Sequence, residues 1–205
     1  EEPILVFFFQ IHISFINFKL RHICVFSILK LMKINKNLIL VGMMGSGKST
    51  IGRLLSNKLN LRFFDIDLII QKKKNMKISE IFEKKGEFFF RNIEEKLTLK
   101  FLNKNKCVIS IGGGSFINEK IRKKILNQNI SFWLNWKSET LLKRIKNSKK
   151  RPIASNLTYN ELKNLINKRS KIYAKSNYKI ECENMSKIEI VKKIISIYET
   201  IQNNN

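Results

Sequence analysis

Residues 42–50 have the types and spacing of a loop that binds phosphate groups. They read Gly-Met-Met-Gly-Ser-Gly-Lys-Ser-Thr, which fits the pattern G-x-x-x-x-G-K-[ST]. Glycines let backbone N–H groups converge on an anion, Lys48 adds a positive charge, and the Ser49 hydroxyl can ligate Mg²⁺. The apolar run 38–41 precedes the loop as a buried strand would, and apolar residues at helical spacing follow it. The segment therefore predicts a nucleoside triphosphate site.

Two carboxylates follow the next apolar stretch. Asp65 and Asp67 come directly after Phe63 and Phe64, at the predicted carboxyl end of a second strand, where α/β sheets bind ligands. Residues two apart on a strand point to the same side, so we expect both carboxylates to face one site. One would hold Mg²⁺ or its waters, and the other would orient and deprotonate a hydroxyl group. A solvated strand end is the alternative interpretation of such a pair.

Glycine and arginine are scarce, which makes their positions informative. Of the eight glycines, four lie in or beside the phosphate loop, three form the run 112–114, and Gly86 stands alone. Only eight of the 40 basic residues are arginine. Lysine cannot replace the planar guanidinium fork where two parallel hydrogen bonds are needed. We therefore expect several of the arginines to bind anions.

Histidine and cysteine exclude other chemistries. His12 and His22 both precede the phosphate loop, so the rest of the chain has no imidazole for a Ser-His or Cys-His mechanism or for a zinc site. Cys24, Cys107 and Cys182 are widely separated and form no C-x-x-C pair, a pattern typical of a reducing compartment. We expect catalysis by lysine, arginine, carboxylate and metal, and a cytoplasmic location.

The formal net charge of +24 on 205 residues raises the question of nucleic acid. The lysines are scattered through the whole chain, together with many Asn and Ile residues, and are not concentrated on one element. We interpret them as compositional drift and expect no nucleic-acid partner. A basic nucleic-acid-binding NTPase is the alternative, and RNA or DNA would then stimulate its ATP hydrolysis.

From residue 37 onward strands and helices alternate, which predicts a mostly parallel sheet with helices on both faces. The predicted strands are 38–41, 62–64, 107–111, 130–134 and 178–182. The predicted helices are 48–59, 79–85, 91–102, 118–126 and 138–145, and two more begin at the capping boxes 158–161 and 186–189. The basic segment 146–157 predicts a lid that closes over phosphates, with an ordinary solvated loop as the alternative.

The first 31 residues differ from the rest. Residues 4–18 are apolar and uncharged, but the run is too short for a membrane span. Positive charge follows the run instead of preceding it, unlike a signal peptide. Since Met32 opens a segment that leads into the first strand, we expect residues 1–31 to be a non-core N-terminal extension. An organelle or membrane address is the alternative.

Over about residues 37–200 the chain resembles the shikimate kinase family. The segments that carry the resemblance are Gly-Met-Met-Gly-Ser-Gly-Lys-Ser-Thr-Ile-Gly-Arg at 42–53, Phe-Asp-Ile-Asp at 64–67, Ile-Phe-Glu-Lys-Lys-Gly-Glu-Phe-Phe-Phe-Arg-Asn-Ile-Glu-Glu at 81–95, Ile-Gly-Gly-Gly at 111–114, Arg-Pro at 151–152 and Arg-Ser-Lys-Ile-Tyr at 169–173. The resemblance implies an α/β P-loop kinase fold over residues 32–205, with a five-stranded parallel sheet and a mobile lid. It also implies transfer of the γ-phosphoryl group of ATP to the 3-hydroxyl of shikimate, a step of aromatic amino-acid biosynthesis, with Mg²⁺ as cofactor.

The resemblance also implies roles for single residues. The implied ATP-binding residues are Gly45, Ser46, Gly47, Lys48, Ser49, Thr50, Arg144 and Arg151. The implied shikimate-binding residues are Asp67, Arg91, Gly113 and Arg169, and the implied magnesium residues are Ser49 and Asp65. Lys48, Asp67 and Arg151 would be catalytic. Arg144 would stack on adenine, Arg151 would reach the phosphates from the lid, and Glu94 would steady Arg91.

The chain departs from the family pattern in three places. Residues 183–187 lack an expected proline, Asn92 stands where a second arginine often follows Arg91, and the lid has no glycine. These departures concern affinity and closure more than the class of reaction. A related small-molecule kinase, such as a gluconate kinase, is the alternative within the same fold, but it should lack the combined set of Asp67, Arg91, the triple glycine and Arg169. We expect a monomer without a membrane partner.

Overall fold

A computed structural model of the chain describes residues 36–146 and 157–203. The predicted extension 1–31 and most of the predicted lid, including Arg151, lie outside the described residues. The strands are β1 (Leu38–Val41), β2 (Arg62–Asp65), β3 (Cys107–Ser110), β4 (Ile130–Asn135) and β5 (Tyr178–Glu181). The helices of the described ranges are α1 (Lys48–Leu59), α2 (Ile66–Lys74), α3 (Ile78–Leu102), α4 (Glu119–Gln128), α5 (Ser138–Lys146), α6 (Tyr159–Tyr173) and α7 (Lys187–Asn203). A short 3₁₀ helix covers Ser115–Ile117.

The five strands form one parallel sheet in the order β2-β3-β1-β4-β5. In the central strand, Leu38 is in register with Val108 of β3 and with Ile130 of β4. Because every strand runs in the same direction, all five carboxyl ends lie at one edge of the sheet. The phosphate loop, Asp65 and the triple glycine follow β1, β2 and β3, so the fold gathers them at that edge. The predicted fold class is confirmed.

Both faces of the sheet are covered, as β1 shows most clearly, since all four of its residues are completely buried. Ile39 and Val41 belong to a core cluster with apolar residues of α2 to α6. Leu38 and Leu40 alternate with them and point to the other face, where α1 and α7 pack against each other. On that face α1 lies very close to the sheet: a Cβ at Gly52 would stand 2.3 Å from the Phe63 ring.

The helix α3 contains a kink at Gly86, whose backbone has φ 77° and ψ 167°. The prediction of two helices on either side of Gly86 is therefore confirmed in outline, and the second begins earlier than residue 91. Only glycine adopts this backbone conformation without strain. The bend separates the first turns of α3 from the part that carries Arg91.

Other boundaries also follow from local chemistry. Thr158 caps α6, accepting from the Glu161 amide at 3.3 Å, while Glu161 Oε2 accepts from the Thr158 amide at 2.8 Å. The predicted box at 186–189 has the same two bonds. The sequence prediction missed α2 entirely. Across the described ranges, no helix combines the length and the apolar character that crossing a membrane requires.

Candidate active site

The phosphate loop joins β1 to α1 and takes its shape from three glycines. Gly42, Gly45 and Gly47 have φ values of 145°, 85° and 89°, which side-chain-bearing residues rarely adopt. Gly47 is also the N-cap of α1, and its carbonyl accepts from the Ile51 amide at 2.9 Å. The free N–H groups of the first turn of α1 therefore point into the loop, where they can bind an anion.

Lys48 lies at the centre of this loop with only 8% of its surface exposed. Its Nζ donates to the carbonyl oxygens of Gly42 at 2.8 Å and Met43 at 3.0 Å. These bonds place a positive charge at the mouth of the loop. The next residues, Ser49 and Thr50, are exposed in the first turn of α1, so their hydroxyls are accessible to a ligand.

The two carboxylates after β2 lie on different elements. Asp65 ends β2 and is the N-cap of α2, where its Oδ1 accepts from the Leu68 amide at 3.2 Å. Asp67 belongs to the first turn of α2. The expectation that the two residues project from a shared strand was wrong, because α2 begins at Ile66, directly after β2 ends at Asp65. Of the two, Asp67 lines the cleft described below.

The Asp67 carboxyl has an unusual proton affinity. Although the residue is half-buried, its Oδ1 is buried and has no hydrogen-bond partner among the described residues. Burial raises the pKa of Asp67 from 3.8 to about 7, and the nearby carboxylates of Glu94 and Asp65 also raise it, against the opposing effect of Lys48 and Arg91. A carboxyl with a pKa near neutrality can accept and release a proton at working pH.

Arg91 is held in place by two carboxylates on its own helix. Its Nη1 donates to Glu94 Oε2 at 2.7 Å, and its Nε and Nη2 donate to Glu87 Oε1 at 3.1 and 2.9 Å. Glu94 is buried, and its other oxygen accepts from the Ser115 hydroxyl at 2.7 Å. The expectation that Glu94 steadies Arg91 is confirmed. The buried contact fixes one side of the guanidinium, while Glu87 on the other side is exposed.

The triple glycine packs directly against these charged groups. A Cβ at Gly112 would lie 2.1 Å from Glu94 Oε1 and 2.9 Å from Asp67 Oδ1. A Cβ at Gly114 would lie 2.3 Å from Arg91 Nη1. Glycine is therefore required here for close approach, since any side chain would occupy the space of the buried carboxylate or the guanidinium.

Gly112→Ala is expected to displace the Glu94 carboxylate and with it Arg91. We expect the KM for the acceptor substrate to rise by about tenfold or more, because losing one charge-assisted contact costs about 1.4 kcal/mol or more. Steady-state kinetics with the acceptor varied would measure the effect. Asn57→Ala is the control, since Asn57 is exposed on α1 and does not line the cleft. An equal effect at both positions would contradict this account.

Another helix, α6, contributes Arg169 and, one turn later, Tyr173. Arg169 Nη1 lies 3.9 Å from the sulfur of Met43, and the Tyr173 hydroxyl lies 4.0 Å from the same sulfur. The Tyr173 hydroxyl donates a short hydrogen bond to the Gly113 carbonyl oxygen. Tyr173 is buried and burial raises its pKa to about 12, so the hydroxyl stays protonated. It therefore links α6 to the triple glycine.

These groups surround one cleft with a volume of about 460 Å³. Its lining residues are Met44, Gly45, Gly47, Lys48, Ser49, Thr50, Asp67, Gln71, Ile78, Phe82, Phe90, Arg91, Glu94, Ser110, Gly113, Gly114 and Arg169. The phosphate loop forms one side. Asp67 and two arginines from separate helices form the other, together with the rings of Phe82 and Phe90.

The cleft brings together most of the residues predicted from sequence. Of the described ones, three do not line it. Ser46 is buried within the loop, Asp65 caps α2, and Arg144 lies beside the loop with Nη1 3.5 Å from the Gly45 carbonyl oxygen. Arg151 lies outside the described residues.

Sequence reasoning missed several residues that shape the cleft. Ser115 and Tyr173 both occurred beside or within motifs that the sequence had singled out, but their types gave no sign of which atom they would contact. Phe82 and Phe90 lie in an aromatic stretch that reads equally well as core. The one available signal for Ser115 was its position directly after the glycine run, and this position did not identify the partner atom.

A phosphate loop after the central strand of a parallel sheet, with a carboxylate and two arginines facing it across one cleft, defines a P-loop kinase that acts on a small anionic acceptor. The model of the family described as shikimate kinase matches residues 44–199. The chain belongs to the shikimate kinase family.

Individual relatives agree with this assignment. The shikimate kinase of Persephonella marina is 40% identical over 160 residues, which cover 78% of this chain and 97% of that protein. The crystal structure of shikimate kinase from Aquifex aeolicus superposes with a TM-score of 0.72 at 39% identity and covers 80% of this chain and 96% of its own. The shikimate kinase of Acinetobacter baumannii in complex with shikimate superposes with a TM-score of 0.78 at 29% identity, covering 84% and 97%.

Membership of this family establishes the activity of the chain as ATP-dependent phosphorylation of shikimate in aromatic amino-acid biosynthesis. It also decides against the gluconate kinase and the nucleic-acid-dependent NTPase that the sequence had left open. The enzyme is a transferase with a P-loop.

Proposed function

We propose that the cleft holds ATP on its phosphate-loop side and shikimate on its Asp67 side, and that the phosphoryl group passes between them to the 3-hydroxyl. The observation that carries this assignment is the single cleft, which is lined both by Lys48 and by Asp67, Arg91 and Arg169. Donor and acceptor would thus meet in one cleft, which supplies the proximity that phosphoryl transfer requires.

On the acceptor side, the guanidinium forks of Arg91 and Arg169 match the planar carboxylate of shikimate. In the described chain Glu87 occupies two donors of Arg91. Because Glu87 is exposed, its ion pair is weak, and the substrate carboxylate would replace it. Glu94 would stay bound to the other nitrogen. Gly113 would offer its backbone to the substrate, and Asp67 would accept from the hydroxyl groups.

On the donor side, the N–H groups of residues 45–50 would bind the phosphates and Lys48 would offset charge on the β- and γ-phosphates. Arg144 would contact the adenine ring. The assignment of Arg151 to the phosphates and to the lid stays a prediction.

The residues present fit a magnesium ion that arrives with the nucleotide. Asp65 Oδ2 is buried and has no hydrogen-bond partner within the described ranges, and the Ser49 hydroxyl is exposed at the start of α1. Magnesium in kinases commonly takes one or two protein oxygens besides phosphate and water. Ser49 would be a direct ligand and Asp65 would act through a bound water. When bound, Mg²⁺ supplies neutralisation of phosphate charge.

The chemical step then uses few protein atoms. The 3-hydroxyl oxygen attacks the γ-phosphorus, its proton passes to the Asp67 carboxylate, and the bond from that phosphorus to the β–γ bridging oxygen breaks to release ADP. Asp67 orients the hydroxyl and takes the proton, while Lys48 stabilises the charge on the phosphates.

A coupled assay of ADP release tests the assignment. With ATP and Mg²⁺, we expect ADP formation that depends on shikimate, and no comparable rate with gluconate or RNA in its place. Shikimate-independent ADP release that RNA stimulates would contradict it.

Arg169→Lys is expected to raise the KM for shikimate by about tenfold or more, because a point charge replaces a two-pronged contact with a carboxylate. The KM for ATP should stay within about twofold. Arg62→Lys is the matched control, since Arg62 is exposed at the amino-terminal end of β2, away from the cleft. An unchanged KM for shikimate in Arg169→Lys would refute the role of this arginine.

We also propose that the enzyme works as a monomer in the cytoplasm, independently of nucleic acid and membranes. One chain supplies both sides of the cleft, which supports the first statement. Sedimentation in the presence and absence of both substrates would test it, and a dimer in either condition would contradict it.

A further inference from the structure

Trp136 connects the phosphate loop to Arg144. It follows β4, and its indole Nε1 donates to the Ser46 carbonyl oxygen at 3.0 Å. The guanidinium carbon of Arg144 lies 3.7 Å from the centre of the Trp136 ring. At this distance the guanidinium is stacked on the face of the indole. The indole therefore contacts the loop with its edge and Arg144 with its face.

The two stacked side chains differ in their exposure to solvent. Trp136 is half-buried, whereas Arg144 is exposed. One face of the guanidinium thus lies against the indole, and the other is open to solvent. The Nη1 of the same group donates to the Gly45 carbonyl oxygen at 3.5 Å, so the edge of the guanidinium contacts the loop and its open face adjoins the loop. A nucleotide whose phosphates occupy the loop would have its base within reach of this face.

We propose that Trp136 is a positioning residue for the nucleotide base. It holds the Arg144 guanidinium flat, so that an aromatic base can stack on the open face and sandwich the cation between two rings. A long arginine side chain that is already held flat loses less conformational freedom on binding. This inference rests on the proposed placement of ATP on the phosphate loop.

Substitutions of Trp136 in the full chain separate the contribution of the indole ring from that of the Nε1 hydrogen bond. Trp136→Leu removes both, and we expect the KM for ATP to rise by about tenfold, which is within the range of a partly desolvated cation–π contact. Trp136→Phe keeps an aromatic face and loses the Nε1 donor, so its KM should rise by only about threefold. The kcat at saturating ATP and the KM for shikimate should stay within about twofold. Phe88→Leu, which changes an exposed aromatic residue outside the cleft, is the control.

Inorganic tripolyphosphate distinguishes the base from the phosphates. It carries the charge of the nucleotide without a base, so in Trp136→Leu its inhibition constant against ATP should rise by no more than the roughly threefold expected for loss of the Nε1 bond. An inhibition constant that rises as much as the KM for ATP would overturn the proposal, because Trp136 would then act only by supporting Ser46. Equal KM values in the Phe and Leu variants would overturn it as well.

Tryptophan fluorescence can report nucleotide binding in the absence of shikimate. Trp133 and Trp136 are the two tryptophans of the chain. In Trp133→Phe, we expect ADP to change the emission of Trp136 and tripolyphosphate to leave it nearly unchanged. No response to ADP at concentrations that inhibit the enzyme would overturn the proposal. Loss of shikimate-dependent turnover in wild type, with this response intact, would instead refute the proposed function and support the role of Trp136.

Discussion

Replacing Lys48 with alanine is expected to lower kcat/KM for the phosphorylation of shikimate by about 10³-fold. The ammonium group lies within the phosphate loop, held by the carbonyls of Gly42 and Met43, where it would meet the charge that develops on the transferring phosphoryl group. Removing one preorganised donor from such a position costs about 10²- to 10³-fold. Lys48 also positions the loop, so both kcat and the KM for ATP should change.

Initial-rate kinetics with each substrate varied would measure this loss. Lys58→Ala is the matched control, because Lys58 lies in the last turn of the same helix and is exposed. A Lys48→Ala enzyme that keeps more than about one tenth of the wild-type kcat/KM would show that the lysine is not central to transfer.

Asp67→Asn is expected to lower kcat by about 10²- to 10⁴-fold, the usual contribution of a positioned general base. In wild type, kcat/KM for shikimate should rise as the pH increases through about 7, since burial raises the pKa of Asp67 to about that value and only the carboxylate can accept the proton. The variant should lose this dependence. A pH profile of both enzymes over about 1.5 pH units on either side of pH 7 would measure it.

The same change should stabilise the ligand-free protein. A carboxyl whose pKa is higher in the folded chain than its ordinary value of 3.8 binds its proton more tightly when folded. Its contribution to the free energy of unfolding therefore falls as the pH rises from about 4 to about 7. Asparagine avoids this loss. Above pH 7 we expect Asp67→Asn to be more stable than wild type by roughly 2 kcal/mol. The full rise in pKa corresponds to about 4 kcal/mol, and the effect is smaller than this because the cleft admits water.

Thermal unfolding in EDTA, without nucleotide, would test this prediction from about pH 4 to about pH 8.5. The advantage of the variant should grow between about pH 4 and 7 and then stay constant. Glu83→Gln, which removes an exposed carboxylate on α3, controls for the loss of one negative charge, and it should keep its activity. A variant that loses activity and is less stable than wild type at pH 8 would contradict the conclusion that ionisation of the buried Asp67 carboxyl destabilises the folded chain.

The positions of the strands could be predicted from the sequence, whereas the start of α2 could not. Strands such as 38–41 are buried on both faces and appear as short apolar runs, and the helices begin at polar caps such as Thr158. Asp65 has the same capping role, but it also ends a strand. With no loop between β2 and α2, the sequence contains no turn residues to mark the change, and the alternation of Asp65 and Asp67 imitates a strand.

The site was predictable where a rare residue type was required. The glycines of the phosphate loop and the triple glycine, together with Arg91 and Arg169, could be found because lysine or alanine cannot take their places. Tyr173 and Trp136 could not be assigned, because their roles depend on contacts with the carbonyls of Gly113 and Ser46. Backbone oxygens are present at every residue, so no pattern in the sequence identifies which one will be the partner.

The contact of Tyr173 with Gly113 and Met43 has a consequence for the order of folding. Arg169 and Met43 are 126 positions apart, and Tyr173 is 60 positions from Gly113. The strands beside the phosphate loop also pair over long distances, since β1 pairs with β3 and β4, but all three precede α6 in the chain. Contacts between distant parts of a chain require the closure of long loops, which slows their formation. Recognition of shikimate therefore depends on α6, which is the last of the described cleft-lining elements to be synthesised.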